Sequence, residues 1–182
     1  MTTISTPTHL ILSYDRVARS LHWLVAALIV AAFGLGLLVD TFPSSWEYGI
    51  VNAHKLIGVA ILCLVVLRLA WRAGHQPPTP EPTGWLLERT ASLGHVLLYC
   101  LMVAVPVIGL AFAVWSGQGI SFGLFSIVPV MAENEAVAHQ IGEIHELAAY
   151  ALIGLAGLHA LAGLWHHFVR KDDVLRRMLP LQ

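Results

Sequence analysis

Charge is what this chain has least of. Only 12% of its 182 residues are Asp, Glu, Lys or Arg, about half the share usual in a soluble domain. Cysteine is scarce as well. Cys63 and Cys100 each sit inside an apolar run with no partner nearby in sequence, and are read as small buried hydrophobes. No CxxCH motif is present, which argues against covalently attached c-type haem, and CxxC pairs, Gly-rich phosphate loops, Walker motifs and GxSxG elbows are missing too. No internal repeat is evident. Nucleophilic and phosphate chemistry therefore lack their usual residues, and any chemistry must rest on the ten histidines.

What fills the chain instead is apolar sequence, 57% of it, with a mean hydropathy of +0.73. Four windows carry most of it: Leu21 to Val39, Leu56 to Leu67 with shoulders at His54 and Trp71, Ala91 to Trp115, and Leu147 to Val169. A helix needs about 20 such residues to cross roughly 30 Å of hydrocarbon. The expectation is an all-α membrane protein, a bundle of four transmembrane helices at about 14–40, 53–73, 90–115 and 142–169, forming one domain over residues 1–182. The first window has a basic lead, Arg16 and Arg19, but no small-x-small cleavage site before LGLLVDTFP, so it is read as a retained helix. Pro106 in AVPVIG should kink the third helix. HQPPTPEPTG, 75–84, reads as a stiff linker, and 116–134, with FGLFSIVPV, as a loop that lies on the bilayer or caps the bundle.

With four spans, both termini and the 75–84 linker share one side. That side takes every Lys and Arg except Lys55, whereas Asp40, Glu47, Glu133, Glu135, Glu143 and Glu146 fall on the other. The positive-inside rule then places both termini in the cytoplasm. The six tryptophans fall near span ends, as an aromatic belt does.

Histidine inside a span is costly without a partner. His9, His75 and His139 lie in the tail, linker and outer loop and are read as solvated; His22, His54, His95, His145, His159, His166 and His167 lie in or at the edge of spans. His145 and His159 are 14 residues apart, so they return to within about 40° of one face at depths roughly 21 Å apart. One small ion cannot use both. Two separate sites can, and topology proposes their partners: His54 for His145 at the outer level, His22 for His159 at the inner one. Two histidines facing across a bundle can fill both axial positions of a haem iron, with Gly34, Gly36, Gly58, Gly154, Gly157 and Gly163 leaving room for flat macrocycles. One mismatch stands out: His22 is about three residues from its window's inner end and His159 about ten, roughly 10 Å in depth. An earlier helix start near Ser13 or Asp15 would reduce it.

At YDRVARSLHWLVAALI, VNAHKLIGVAILCLVVLRLAWR, LGHVLLYCLMVAVPVIGL and IHELAAYALIGLAGLHALAGLWHHFVRKD followed by LRRMLP, the chain resembles the prokaryotic cytochrome b561 family from Tyr14 to Pro180. It is similar, more distantly, to cytochrome b subunits of hydrogenases and formate dehydrogenases. The resemblance implies a bacterial inner-membrane protein with two noncovalent haems b and ubiquinone as redox partner. It implies His22 and His159 as ligands of the cytoplasmic-side haem, His54 and His145 as ligands of the periplasmic-side haem, and His166 as a quinone contact. Some members resemble superoxide oxidases, which pass an electron from periplasmic superoxide to ubiquinone. His95 is a candidate for a haem propionate or the quinone, and Arg68 and Arg72, one turn apart, for propionates through guanidinium–carboxylate pairing. Lys55 is a candidate for an outer propionate and Glu146 for orienting His145. His167 points away from the ligand face.

The expected partners are membrane lipid, ubiquinone and a periplasmic electron donor, with no nucleic acid. Two other classes stay open. One is an electron-transfer cytochrome b subunit serving a partner dehydrogenase or hydrogenase; the other is a histidine-based metal transporter, which has no need of two histidine levels on one face.

Overall fold

A computed structural model of the chain describes residues 13–79, 83–129 and 132–179. His9 and the side chain of Asp40 lie outside what is described. Four helices dominate: α1 Arg16–Leu38, α2 Ser44–Gly74, α3 Trp85–Trp115 and α4 Glu135–Trp165. Each is long and apolar enough to cross a membrane, and α4 runs on through one π-helical turn, His166–Arg170. A two-stranded hairpin, β1 Ile120–Ser121 against β2 Ser126–Ile127, follows α3.

α1 and α4 begin where the chain offers a side-chain cap. The Asp15 carboxylate accepts the Ala18 N–H at 2.9 Å, and Asn134 accepts that of Val137 at 3.1 Å, each satisfying a free amide at a helix start. Gly84, at φ 95, supplies the left-handed turn that leads from the proline-rich linker into α3. α2 and α4 start well before the apolar windows, at Ser44 and Glu135. An apolar window records only what hydrocarbon requires, whereas a helix continues into the polar boundary. α3 runs unbroken through Pro106, whose ring faces Gly58 of α2.

Packing follows chain order: α1 lies along α2, α2 along α3 and α3 along α4, while α1 and α4 meet only briefly. The shared core is Val25, Ile29 and Ala32 of α1, Ile61 and Val65 of α2, Leu98 and Met102 of α3, and Leu152 of α4. The three- and four-residue spacings on α1, α2 and α3 give each of those helices one narrow inward stripe, which Leu152 of α4 meets. The remaining faces are apolar yet exposed; Leu158 and Val30 are each 64% accessible. In water that surface would drive aggregation, and in lipid it is the solvated state. The chain is thus a four-span all-α membrane bundle. Cys63 and Cys100 correct the reading made of them: both are exposed, on outward faces rather than in the core.

Candidate functional site

α4 carries histidines at two levels, and each meets an imidazole from another helix. Towards the end where the connections 39–43 and 116–134 lie, the rings of His54 and His145 have centroids 6.0 Å apart at 84°. Towards the opposite end, where α1 begins and α2 finishes, His22 and His159 stand 6.2 Å apart at 72°. With a ring nitrogen about 1.1 Å from its centroid and a metal–nitrogen bond of about 2.0 Å, two imidazoles on opposite sides of one iron place their centroids roughly 6 Å apart. Both pairs meet that spacing. Among the described residues no three His, Cys, Asp or Glu side chains converge as a metal cage. Two axial ligands suffice only where a macrocycle supplies the other four donors, so these pairs fit haem iron better than a bare ion.

The first pair is held by one device used twice. His54 Nδ1 lies 2.8 Å from the Ala32 carbonyl of α1, and His145 Nδ1 lies 3.0 Å from the Val105 carbonyl of α3. A carbonyl only accepts, so Nδ1 is the donor in each ring and Nε2 is left bare. Four residues beyond each carbonyl stands a glycine. A Cβ on Gly36 would meet His54 Cε1 at 3.5 Å; one on Gly109 would meet His145 Cε1 at 2.8 Å, closer than carbon atoms tolerate. Glycine thus lets the imidazole lie against the helix backbone and reach a carbonyl's second lone pair. Gly36 backs a histidine rather than clearing a macrocycle, whereas Gly34, Gly154 and Gly157 face open space. An apolar cavity opens beside this pair, lined by Ile29, Phe33, Gly58, Leu110, Phe112 and Ile153.

Around the second pair the setting differs. His95 joins it, with its ring 5.3 Å from that of His159, and among the described residues the buried Nδ1 of His22 has no hydrogen-bond partner. The depth mismatch is not realised: α1 begins at Arg16, ahead of its apolar window, and the His22 and His159 rings meet at one level. Arg68 lies within electrostatic reach of all three rings, and its guanidinium stands 5.6 Å from the Tyr99 ring centroid. Arg68 and Arg72 also line a cavity of about 550 Å³ together with Tyr14, Asp15, Trp71 and Met178. Two guanidiniums facing a cavity beside facing imidazoles suit an anionic group such as a propionate.

The remaining candidates separate. Lys55 Nζ donates to Gln118 Oε1 at 2.9 Å and to the Gly119 carbonyl at 3.2 Å, tying α2 to the loop before β1. Asn52 does the same through a reciprocal pair with the Ser121 backbone, at 2.9 and 2.8 Å. Glu146 is exposed and the Val105 carbonyl orients His145 instead, so the acceptor is backbone and not the carboxylate considered from sequence. His75 stacks on Trp71 at 3.9 Å and His167 meets Phe168 edge-on. His166 Nδ1 lies 2.6 Å from Asp172 Oδ2. Asp172 and Gly109 escaped the sequence reading. A glycine in the apolar run VIGLAF, where alanine suits a helix better by about 1 kcal/mol, was the available signal for Gly109; Asp172 had none, because six residues is no helical spacing.

The chain is similar to known proteins over nearly its whole length. A family model described as prokaryotic cytochrome b561 matches residues 13–181. The chain is 34% identical over 170 residues to cytochrome b561 homolog 2 of Escherichia coli K12, covering 91% of this chain and 90% of that protein. It is 34% identical over 171 residues to the probable superoxide oxidase CybB of Yersinia pestis, covering 92% and 96%. Cytochrome b562 of Cereibacter sphaeroides is 27% identical over 172 residues, covering 91% and 94%.

Proposed function

The chain belongs to the prokaryotic cytochrome b561 family, a multi-pass membrane b-type cytochrome of electron transfer in the bacterial inner membrane, and from that premise we propose which residues do the work. His54 with His145, and His22 with His159, hold two b-type haems at two depths. The observation that carries this reading is the repeated 6 Å spacing of facing imidazoles along one face of α4. A bound haem supplies one-electron carriage. His54, His145, His22 and His159 would hold the iron, and the surrounding apolar side chains would tune its potential.

Cation placement puts the terminal end in the cytoplasm, so His54 and His145 face the periplasmic side. Electrons then pass between a periplasmic donor and ubiquinone near the cytoplasmic face, where His166 contacts a quinone carbonyl. Arg68 and Arg72 hold propionate charge beside the inner pair, with His95 next to them. Superoxide is proposed as donor because a relative of 34% identity carries the name probable superoxide oxidase. The charge pattern opposes long-range steering of an anion, since Lys55 stands alone among six outer carboxylates. Local access near His54, where Lys55 is anchored by the hairpin loop, must therefore carry that step.

The deciding measurement is a reduced-minus-oxidised spectrum with a haem-to-protein ratio. Two haems b per chain, falling to one in His54→Ala and in His22→Ala, is the expected result; one or none in the native protein sinks the pairing. Superoxide as donor is dropped if haem-loaded protein forms no ubiquinol when superoxide is added.

A further inference from the structure

α4 does not end as its neighbours do. At His166 the helix widens into a π turn, and the His166 carbonyl accepts both the Lys171 N–H and, at 3.2 Å, the Asp172 N–H. Between them Lys171 adopts φ 56, ψ 35, the one left-handed non-glycine among the described residues. That conformation costs roughly 1–2 kcal/mol for a residue with a Cβ, and it turns the chain back so that Asp172 faces the ring it has just passed. Asp172 Oδ2 reaches His166 Nδ1 at 2.6 Å, and its Oδ1 accepts the Val174 N–H at 3.2 Å. The Arg170 Nε lies 3.3 Å from the same carboxylate, and its guanidinium stands over the Trp165 ring at 5.5 Å. Both His166 and Asp172 side chains are largely enclosed, at 16% and 18% exposure.

We propose that Asp172 and His166 form a proton-delivering dyad for quinone reduction, in which Asp172 is the positioning residue that fixes the imidazole and balances its charge while Nε2–H faces the quinone. This rests on the reading of His166 as the quinone contact. Reduction of a quinone to its hydroquinone takes two electrons and two protons. The electrons arrive singly by the electron transfer that defines the family. The proton for the facing oxygen leaves Nε2: the N–H bond breaks, an O–H bond forms on the quinone, and the imidazolium becomes neutral imidazole with Nδ1–H still bonded to Asp172. Water on the cytoplasmic side returns a proton to Nε2 and supplies the second proton, which forms the O–H bond on the other quinone oxygen. Asp172 itself stays anionic through the cycle. Although burial pushes its carboxyl up, the hydrogen bonds from His166 and the Val174 N–H, with the nearby Arg170, outweigh that and hold it below the usual carboxylate range.

The test uses haem-loaded protein, chemically reduced and mixed with a water-soluble ubiquinone analogue, with haem reoxidation followed by stopped flow. In Asp172→Asn the limiting rate should fall about ten-fold or more while the half-saturating quinone concentration moves less than about two-fold, because proton transfer and not binding is lost. His166→Gln should be at least as slow, and the double variant no slower than His166→Gln alone, since the two act as a unit. Asp172→Glu should recover part of the rate. The infrared difference spectrum between quinone and hydroquinone states should lose its imidazole and carboxylate bands in Asp172→Asn. If His166→Gln is slow while haem-loaded Asp172→Asn keeps the native rate and bands, the dyad is overturned and the quinone contact stands. If His166→Gln itself keeps the native rate, the quinone contact falls and the dyad with it. Should Asp172→Asn fail to load haem, a native rate in Asp172→Glu overturns the proposal and a slowed rate supports it.

Discussion

Single residues decide whether each imidazole can do its work. The tightest is Gly109, where an added methyl would sit 2.8 Å from His145 Cε1, while the same change at Gly36 meets His54 at 3.5 Å and at Gly34 meets nothing. Gly109→Ala is therefore expected to displace His145 and cost about 1–3 kcal/mol by overpacking. Its haem-to-protein ratio should fall towards one with the second haem intact, whereas Gly34→Ala keeps the native ratio and spectrum. Titration offers a second residue-scale test. Because the folded protein depresses the Asp172 carboxyl, it favours the ionised form, so the contact contributes fully above the ordinary value of 3.8 and is lost as pH falls through the folded value beneath it. The tail after α4 should hold its hydrogen-exchange protection from neutral pH down to about 5 and lose it only in stronger acid, with Asp172→Asn showing no such acid step. Histidine types and spacings were legible in the sequence because intramembrane polarity is rare. The glycine notches were not, since which helix backs a ring depends on how α1 and α3 pack.

At the scale of elements, caps and clips set where helices begin and what their loops do. Asp15 both caps α1 and accepts the Trp71 indole N–H at 3.1 and 3.2 Å, so it joins the start of α1 to the end of α2. Asp15→Ala is expected to cost roughly 0.5–2 kcal/mol and to loosen the side of the cavity that Arg68 and Arg72 line, read as a lower melting temperature in detergent. The hairpin is clipped to α2 by Asn52 and Lys55 and presents Leu124, 99% exposed, with Phe125 and Val128. Asn52→Ala should leave the bundle folded yet make 122–125 the first site of proteolytic cleavage in detergent, with the native protein cleaved there more slowly. The apolar windows found the four helices but placed the α2 start nine residues late, at 53 rather than Ser44. Hydropathy marks the part of a helix that lies in hydrocarbon and is silent about turns in the boundary, where Glu47 and Asn52 are at home.

Over the whole molecule, the sparse contact between α1 and α4 matters most. His22 and His159 face each other across that opening, whereas His54 and His145 meet across the bundle from α2 to α4. The carboxy-terminal segment braces the opening's terminal end: Trp23 Nε1 donates to the Met178 carbonyl at 2.8 Å, Arg19 to that of Leu179 at 2.7 Å, and Tyr14 N–H to that of Arg177 at 3.2 Å. Deleting 171–182 should therefore weaken retention of the haem proposed for His22 and His159 while sparing that of His54 and His145, checked by haem content after dilution into detergent.

The sequence by itself determined the solvent and the inventory. Four charge-poor apolar runs have no stable home outside lipid, and histidines spaced 14 apart on one helical face must serve two depths. Local periodicity carries that information, because helix geometry and hydrocarbon thickness are fixed quantities. Only the tertiary structure decided which backbone carbonyl orients each imidazole, which glycine admits it, and that Asp172 returns to His166. Those depend on contacts between residues far apart along the chain, or on a left-handed turn at Lys171, and no repeat in the sequence encodes either.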